Sequence, residues 1–221
     1  MMFLKFYLFY PVLFLVFCLD NVHTYNVFSR DRVLTVKQKA YILSIKASAV
    51  MFLFSIYMNY KFAQASFDIY AYEASSSEFH RVLESVNLLY FSSYLVCDMW
   101  IGTVFYPRYL MSLTGYFHHI IYILFNILTV VTKTQSLFLV FMVSELPTFI
   151  LSIGSYNANA RSDTLFGLTF LVTRILYHMF LCMHAYKYHT LFFILSSSVF
   201  GLHLFWFKNW VRHYMLPLLK W

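Results

Sequence analysis

Residues 164–184 read TLFGLTFLVTRILYHMFLCMH, an apolar run with one guanidinium, Arg174, near its centre and His178 about one helical turn further on. At about 1.5 Å of rise per residue this run makes a helix of roughly 30 Å, the thickness of a bilayer's hydrocarbon core. Ionisable groups at that depth are costly unless they are paired or solvated. The stretch therefore predicts a membrane span whose polar side faces other protein and not lipid.

Six more apolar runs flank it, at residues 6–19, 41–60, 86–106, 113–131, 136–155 and 190–210. Between the fourth and fifth spans only residues 132–135 remain, which predicts a tight hairpin. The composition agrees: of 221 residues, 61% are hydrophobic and 22% aromatic, and only 11% are charged. That is far from the usage of a soluble domain, and too little charge to cover so much apolar surface. A water-soluble globule and a disordered chain are both excluded. The net charge of +7 comes from basic residues scattered singly between apolar runs. Nucleic acid is therefore not the expected partner, and anionic lipid headgroups are. Cys18, Cys97 and Cys182 lie inside apolar runs without metal-ligand spacing, so they are expected to be core residues, with no disulfide framework, no metal site and no cofactor.

The first run is short, stands behind Lys5 and precedes the polar stretch 20–39. It reads either as a signal peptide or as an uncleaved anchor. Cleavage would carry the basic segment from Arg30 to Lys46 across the membrane, against the positive-inside rule, which favours the anchor. Residues 1–35 are thus expected to form an anchor and basic loop, 36–214 the main transmembrane domain, and 215–221 a cytoplasmic tail. Lys46 is expected to snorkel to the headgroups. The longest polar connection, residues 61–85, offers serine as an N-cap before Glu78. Internal repeats, low-complexity tracts, glycosylation acceptors and an appended soluble domain are absent from the sequence. Alternate connections put Lys5, Lys61, Arg81, Lys133 and Lys187 on one side, and Arg30, Arg32, Lys37, Lys39, Lys46, Arg108, Arg161, Lys208, Arg212 and Lys220 on the other. The bias predicts a lumenal N-terminus and a cytoplasmic C-terminus.

Polar residues inside the spans are the informative ones. Glu145 and Arg174 fall at similar depth on consecutive antiparallel helices, which predicts an ion pair, either as a clamp on helix register or as part of a functional centre. His178 shares the helix face of Arg174. Asp98 and the His118–His119 pair lie toward the cytoplasmic ends of the third and fourth spans, with only residues 107–112 between the spans, so an Asp to His hydrogen bond is feasible. Such a pair suits acid–base work, although adjacent histidines also serve simply to reach interfacial water. His184 reads as interfacial and His203 as a satisfied buried imidazole. Asn126 and Ser196 to Ser198 read as interhelical hydrogen-bonding or close-packing residues. Pro147 removes a backbone donor, and the kink it makes is expected to line a cavity. The predicted fold is an all-α polytopic bundle of six to seven spans around a central cavity, with its ionisable groups turned to a shared interior.

Five short motifs occur in order: Tyr94-Leu-Val-Cys-Asp98-Met, Gly115-Tyr-Phe-His-His119, Ser144-Glu-Leu-Pro-Thr148-Phe, Arg174-Ile and His203-Leu-Phe-Trp206-Phe. Over residues 86–210 this pattern resembles the TLC domain, the family that groups ceramide synthases with translocation-associated and lipid-homeostasis membrane proteins. The resemblance implies a helical bundle in the endoplasmic reticulum or a related membrane that handles lipid acyl chains. It also implies that His118 and His119 match the paired histidines of the ceramide synthase active site. The longer ceramide synthase signature does not continue, because Tyr122 stands where threonine is expected and no His-Asp-x-x-Asp cluster follows. The Glu-Leu-Pro-Thr segment is closer to the smaller TLC-domain-containing proteins associated with membrane lipid composition.

Two functions are carried forward. One is an acyl-lipid handling protein of membrane lipid homeostasis, with Glu145, Pro147, Arg174 and His178 forming a polar core for a headgroup. The other is an acyltransferase that takes acyl-CoA and a sphingoid amine, in which His118 or His119 removes the amine proton, Asp98 fixes the tautomer and Arg174 neutralises an oxyanion or a phosphate. A transporter finds less support, because the sequence carries no inverted repeat and no pair of broken helices in equivalent positions.

Overall fold

The computed structural model describes residues 2–110, 113–188 and 190–216. Residues 217–221 of the expected tail, including Lys220, and Met111 and Ser112 of the 107–112 connection lie outside the described residues. Every regular element among the described residues is helical. Among the described residues, seven helical stretches are long and apolar enough to cross a membrane: Phe9–Ser29, Val36–Gln64, Glu78–Phe105, Gly115–Thr132, Gln135–Tyr156, Asp163–Tyr188 and Thr190–Met215. The protein is a multi-pass integral membrane protein with an all-α bundle. Its outer surface is apolar where a soluble protein would be polar, with Leu53, Trp100, Val131 and Val172 exposed. That is the pattern lipid requires.

Helix α1 (Met2–Ser29) is longer than the expected span. Residues 20–29 continue the helix because their polar groups find partners on neighbouring helices. Asn21 donates to Ser93 Oγ at 3.2 Å, Asp20 pairs with Lys46, and Tyr25 is buried. Lys46 also donates to Thr24 Oγ1 at 2.9 Å, so it is tied to α1 and does not snorkel outward as expected. A short helix, α2 (Val36–Ala40), starts on a capping box: Thr35 accepts from the Gln38 backbone and Gln38 accepts from that of Thr35. Helix α3 (Ile42–Gln64) buries Leu43, Ala47, Met51, Ser55, Met58 and Phe62, a stripe spaced by three and four that makes it a central helix of the bundle.

The polar connection is ordered. Asp68 caps α4 (Ile69–Ser75), and Ser77 caps α5 (Glu78–Phe105) through the His80 amide, as the sequence predicts. A one-turn helix, α6 (Pro107–Leu110), leads to α7 (His118–Thr132), which ends on Lys133 in the left-handed region (φ 56°). That conformation closes the expected hairpin onto α8 (Gln135–Phe141). The fifth span then breaks at a 3-10 turn, Met142–Ser144, before α9 (Glu145–Tyr156). The sixth span is α10 (Asp163–Phe170) and α11 (His178–Tyr188), joined through a π-helical segment, Leu171–Tyr177. Helix α12 (Thr190–Trp210) closes the bundle. Aromatic rings fill its centre: Phe138 lies within 6.3 Å of the rings of Phe91, Tyr122 and Phe125. A small cavity of about 10 Å³ lies beside Tyr122, Phe138, Met142, His178 and Ser196, enough for about one water. The three cysteines carry free thiols.

Candidate functional site

The third span ends where Pro107 disfavours helical geometry at the residue before it, and Tyr106 adopts φ −144°. The chain turns back through α6 and a π-helical segment, Leu113–Phe117, kinked at Gly115 (φ −97°, ψ −106°). A Cβ there would come within 2.0 Å of the Leu110 carbonyl oxygen, so the turn requires glycine. This re-entry brings the start of α7 back against the end of α5.

Asp98 and His119 consequently meet, 4% and 6% exposed. Nε2 of His119 lies 3.0 Å from Asp98 Oδ2, an ion-pair distance although out of line for a hydrogen bond. Nδ1 of His119 donates to the Gly115 carbonyl at 3.0 Å. The other carboxylate oxygen accepts the Tyr106 hydroxyl at 2.6 Å. Both ring nitrogens of His119 thus face oxygens of the protein, and neither is turned toward a ligand. His118 differs: it is half-buried, makes no hydrogen bond to a described residue, and packs at ring-centroid distances of 4.4 Å from Tyr122 and 6.1 Å from Trp206. The expected Asp98 to histidine contact exists, and it singles out His119 as the positioned ring and His118 as the available one.

Arg174 sits in the π-helical segment of the sixth span. Its Nε donates to the Ser144 carbonyl at 2.8 Å and a terminal nitrogen to Thr148 Oγ1 at 2.6 Å, while Glu145 Oε1 stands 3.9 Å away. The predicted pairing with Glu145 is therefore present at the edge of contact, and the short bonds go to the neighbours of Glu145. The 3-10 turn ahead of the buried Pro147 presents that Ser144 carbonyl. Phe170 stacks under the guanidinium at 5.2 Å. With these commitments Arg174 is tied to the residues around Glu145 at the break in the fifth span.

A file of rings joins the two clusters. His118 touches Trp206, Trp206 lies 5.9 Å from His203, and His203 lies 5.0 Å from His178. Scarce polar groups from five spans thus share the interior, as the sequence predicts. His203 is buried as expected, but among the described residues neither of its nitrogens has a hydrogen-bond partner, which departs from its reading as a satisfied imidazole. Asn126 donates across helices to Ser92 at 2.9 Å, matching its expected role. His184 is half-buried against the rings of Phe62 and Phe180.

Sequence reasoning missed a second acid–histidine contact. His80 Nε2 lies 3.2 Å from Glu84 Oε1 and 2.9 Å from the Tyr72 hydroxyl, all three side chains being buried. The four-residue spacing of His80 and Glu84 on a helix was the available signal. Nearby, Glu73 is held above the usual carboxyl range, chiefly by burial and then by the charge of Glu84, against the opposing effect of Arg81. Among the described residues no cluster has the makings of a metal site. In comparisons with known proteins, no protein family, no curated protein and no solved structure matches this chain.

Proposed function

We propose that this membrane protein handles acyl lipids in membrane lipid homeostasis, in the manner of the TLC domain its sequence resembles. The observation that carries the reading is the fixed Asp98–His119 pair beside the half-buried ring of His118, which makes no hydrogen bond to a described residue. It supports a point where a lipid headgroup meets the protein at His118. An acyl chain would lie along the outer apolar surface, where Ile120, Leu124, Leu204 and Phe205 are exposed. The membrane is that of the endoplasmic reticulum or a related compartment, with a lumenal N-terminus and a cytoplasmic C-terminus. Lipid profiling of cells lacking the protein, complemented with wild type or with His118→Ala, tests the reading. An altered acyl composition that wild type restores and His118→Ala does not is the expected result; an unchanged composition in every lipid class overturns it.

A second reading, N-acyl transfer from acyl-CoA to an amine, is favoured by the same acid–histidine pair. The amine nitrogen attacks the thioester carbonyl, His118 takes the amine proton, the carbon–sulfur bond breaks, and the proton passes to the departing thiolate. His119, held by Asp98 and the Gly115 carbonyl, is then a positioning residue. General base assistance of this kind contributes about 10²- to 10⁴-fold in rate. Purified protein supplied with acyl-CoA and a sphingoid base separates the readings, because full turnover by His118→Ala excludes this one.

A further inference from the structure

Helices α1 and α5 lie side by side and run in the same direction: the ring of Phe17 meets that of Tyr90 edge to face at 5.6 Å, Asn21 bonds to Ser93, and Tyr25 packs 5.6 Å from Phe105. Before the first of these contacts the two helices flank an apolar groove of about 520 Å³, lined by Tyr10, Pro11, Phe14 and Leu15 of α1 and by Leu89 of α5. Its volume is that of a small-ligand site. The sequence favours an opening there, because Pro11 stands inside α1, where it has no N–H for the ladder and its ring crowds the carbonyl four residues earlier. The groove opens on the apolar outer surface, where Leu15 is 61% exposed.

What the groove fits follows from the face of α5 that leads to it. At about 100° per residue, Glu78, Arg81, Ser85 and Leu89 fall within an arc of about 80°. Helix α5 has 28 residues, about 42 Å, against a hydrocarbon core of about 30 Å, so its first turn stands at the level of the lipid headgroups. Leu89 lies about 12 Å deeper than Arg81, inside the hydrocarbon. Glu78 and Arg81 are both exposed, and neither makes an ion pair with a described residue. Arg81 gives one long bond, 3.5 Å, to the Glu73 carbonyl, which leaves most of its donors available. Glu84 is buried against His80. The face thus presents a cation and an anion at headgroup level and, below them, the groove. A purely anionic headgroup would meet Glu78 as well as Arg81, and a lipid without phosphate would leave Arg81 unused. A zwitterionic headgroup matches both charges.

We propose that this groove holds one acyl chain of a zwitterionic phospholipid, whose phosphate sits on Arg81 and whose ammonium group sits on Glu78. The site is separate from His118 and does not depend on the reading given to that residue. The full chain in phosphatidylcholine nanodiscs, doped with a phosphatidylcholine that carries a photoreactive diazirine in one acyl chain, is illuminated and the labelled residues are mapped by mass spectrometry. Labelling of residues 10–15 and of Leu89 is expected to exceed that of the exposed Leu53, Trp100 and Val172 by about tenfold. A diacylglycerol with the same photoreactive chain, which lacks the headgroup, loses this excess on the wild-type protein. Arg81→Gln loses it with phosphatidylcholine, while Glu78→Gln lowers it for phosphatidylcholine and raises it for a phosphatidylglycerol with the same chain. Leu89→Trp fills the groove and abolishes labelling of residues 10–15; the comparison of lipids on the wild type decides the matter if a variant fails to fold. Even labelling over all exposed apolar positions, an excess that diacylglycerol shares, or crosslinks from residues 10–15 to a second copy of the chain overturn the proposal, whatever lipid profiling returns.

Discussion

Replacing Tyr106 with phenylalanine removes a single O–H bond from the candidate site and changes little else. The hydroxyl donates to Asp98 Oδ1 at 2.6 Å, both residues are buried, and the ring contact with Tyr25 at 6.0 Å is kept by phenylalanine. Hydrogen bonds to charged groups are worth about 1.5–3 kcal/mol, and the abandoned carboxylate oxygen belongs to a buried side chain. A loss of about 2 kcal/mol is expected, which for a chain of this length lowers the thermal midpoint by roughly 4–8 °C. The assay is tryptophan fluorescence of nanodisc-embedded protein, heated at one fixed scan rate because unfolding of such proteins is often irreversible. Repeating the substitution in an Asp98→Asn background completes a double-mutant cycle. With the carboxylate gone, Tyr106→Phe is expected to cost about 1 kcal/mol or less, the worth of a neutral hydrogen bond. Equal losses in both backgrounds, or none in the wild type, would refute the assignment of Tyr106 as the group that holds Asp98.

The remaining expectations concern backbone fit and charge. Gly115→Ala puts a methyl 2.0 Å from the Leu110 carbonyl oxygen, where no flexible side chain can yield, so the re-entry must shift and the His119 to Gly115 bond must break. The variant should lose about 2–5 kcal/mol by thermal midpoint, from overpacking and an unmet polar group together. Gly167→Ala places its Cβ 1.9 Å from the Trp210 ring, whose indole N–H donates to the Asp163 carbonyl at 3.1 Å. Here the ring can swing, and the expected signature is altered tryptophan emission with a loss of about 1–3 kcal/mol. Glu73 binds its proton more tightly in the folded protein than in the unfolded chain, so its contribution to stability falls as pH rises from the ordinary carboxyl range through the folded value. Glu73→Gln should therefore raise the thermal midpoint at neutral pH and leave it unchanged at low pH; the opposite order would contradict the burial argument.

How much of this was legible in the sequence depends on what each signal measures. Hydropathy averages over a window, so all seven spans could be read. It carries no direction, however, and residues 20–29 read as a polar loop because Asp20 and Asn21 find their side-chain partners on helices distant in sequence. The Asp98–His119 contact was legible because a short connection limits how far two helix ends can part. Which histidine would be held and which left available was not, because that depends on the kink at Gly115. The Arg174 environment was read by depth, which finds Glu145 but not the Ser144 carbonyl, since backbone irregularities such as the 3-10 turn leave no residue-type signal beyond Pro147. His80 and Glu84 were hidden by the polar composition around them.

The 3-10 turn at Met142–Ser144 and the π-helical stretch Leu171–Tyr177 meet across Arg174, midway along the fifth and sixth spans. Helices ordinarily loosen from their tips inward. Here the weakest rungs of the backbone ladder stand at the waist, so amide deuteration driven by local opening should be fastest at mid-depth and slower on either side. Such an inverted gradient would let the upper and lower halves of two neighbouring rods pivot about one shared level while their outer ends stay fixed.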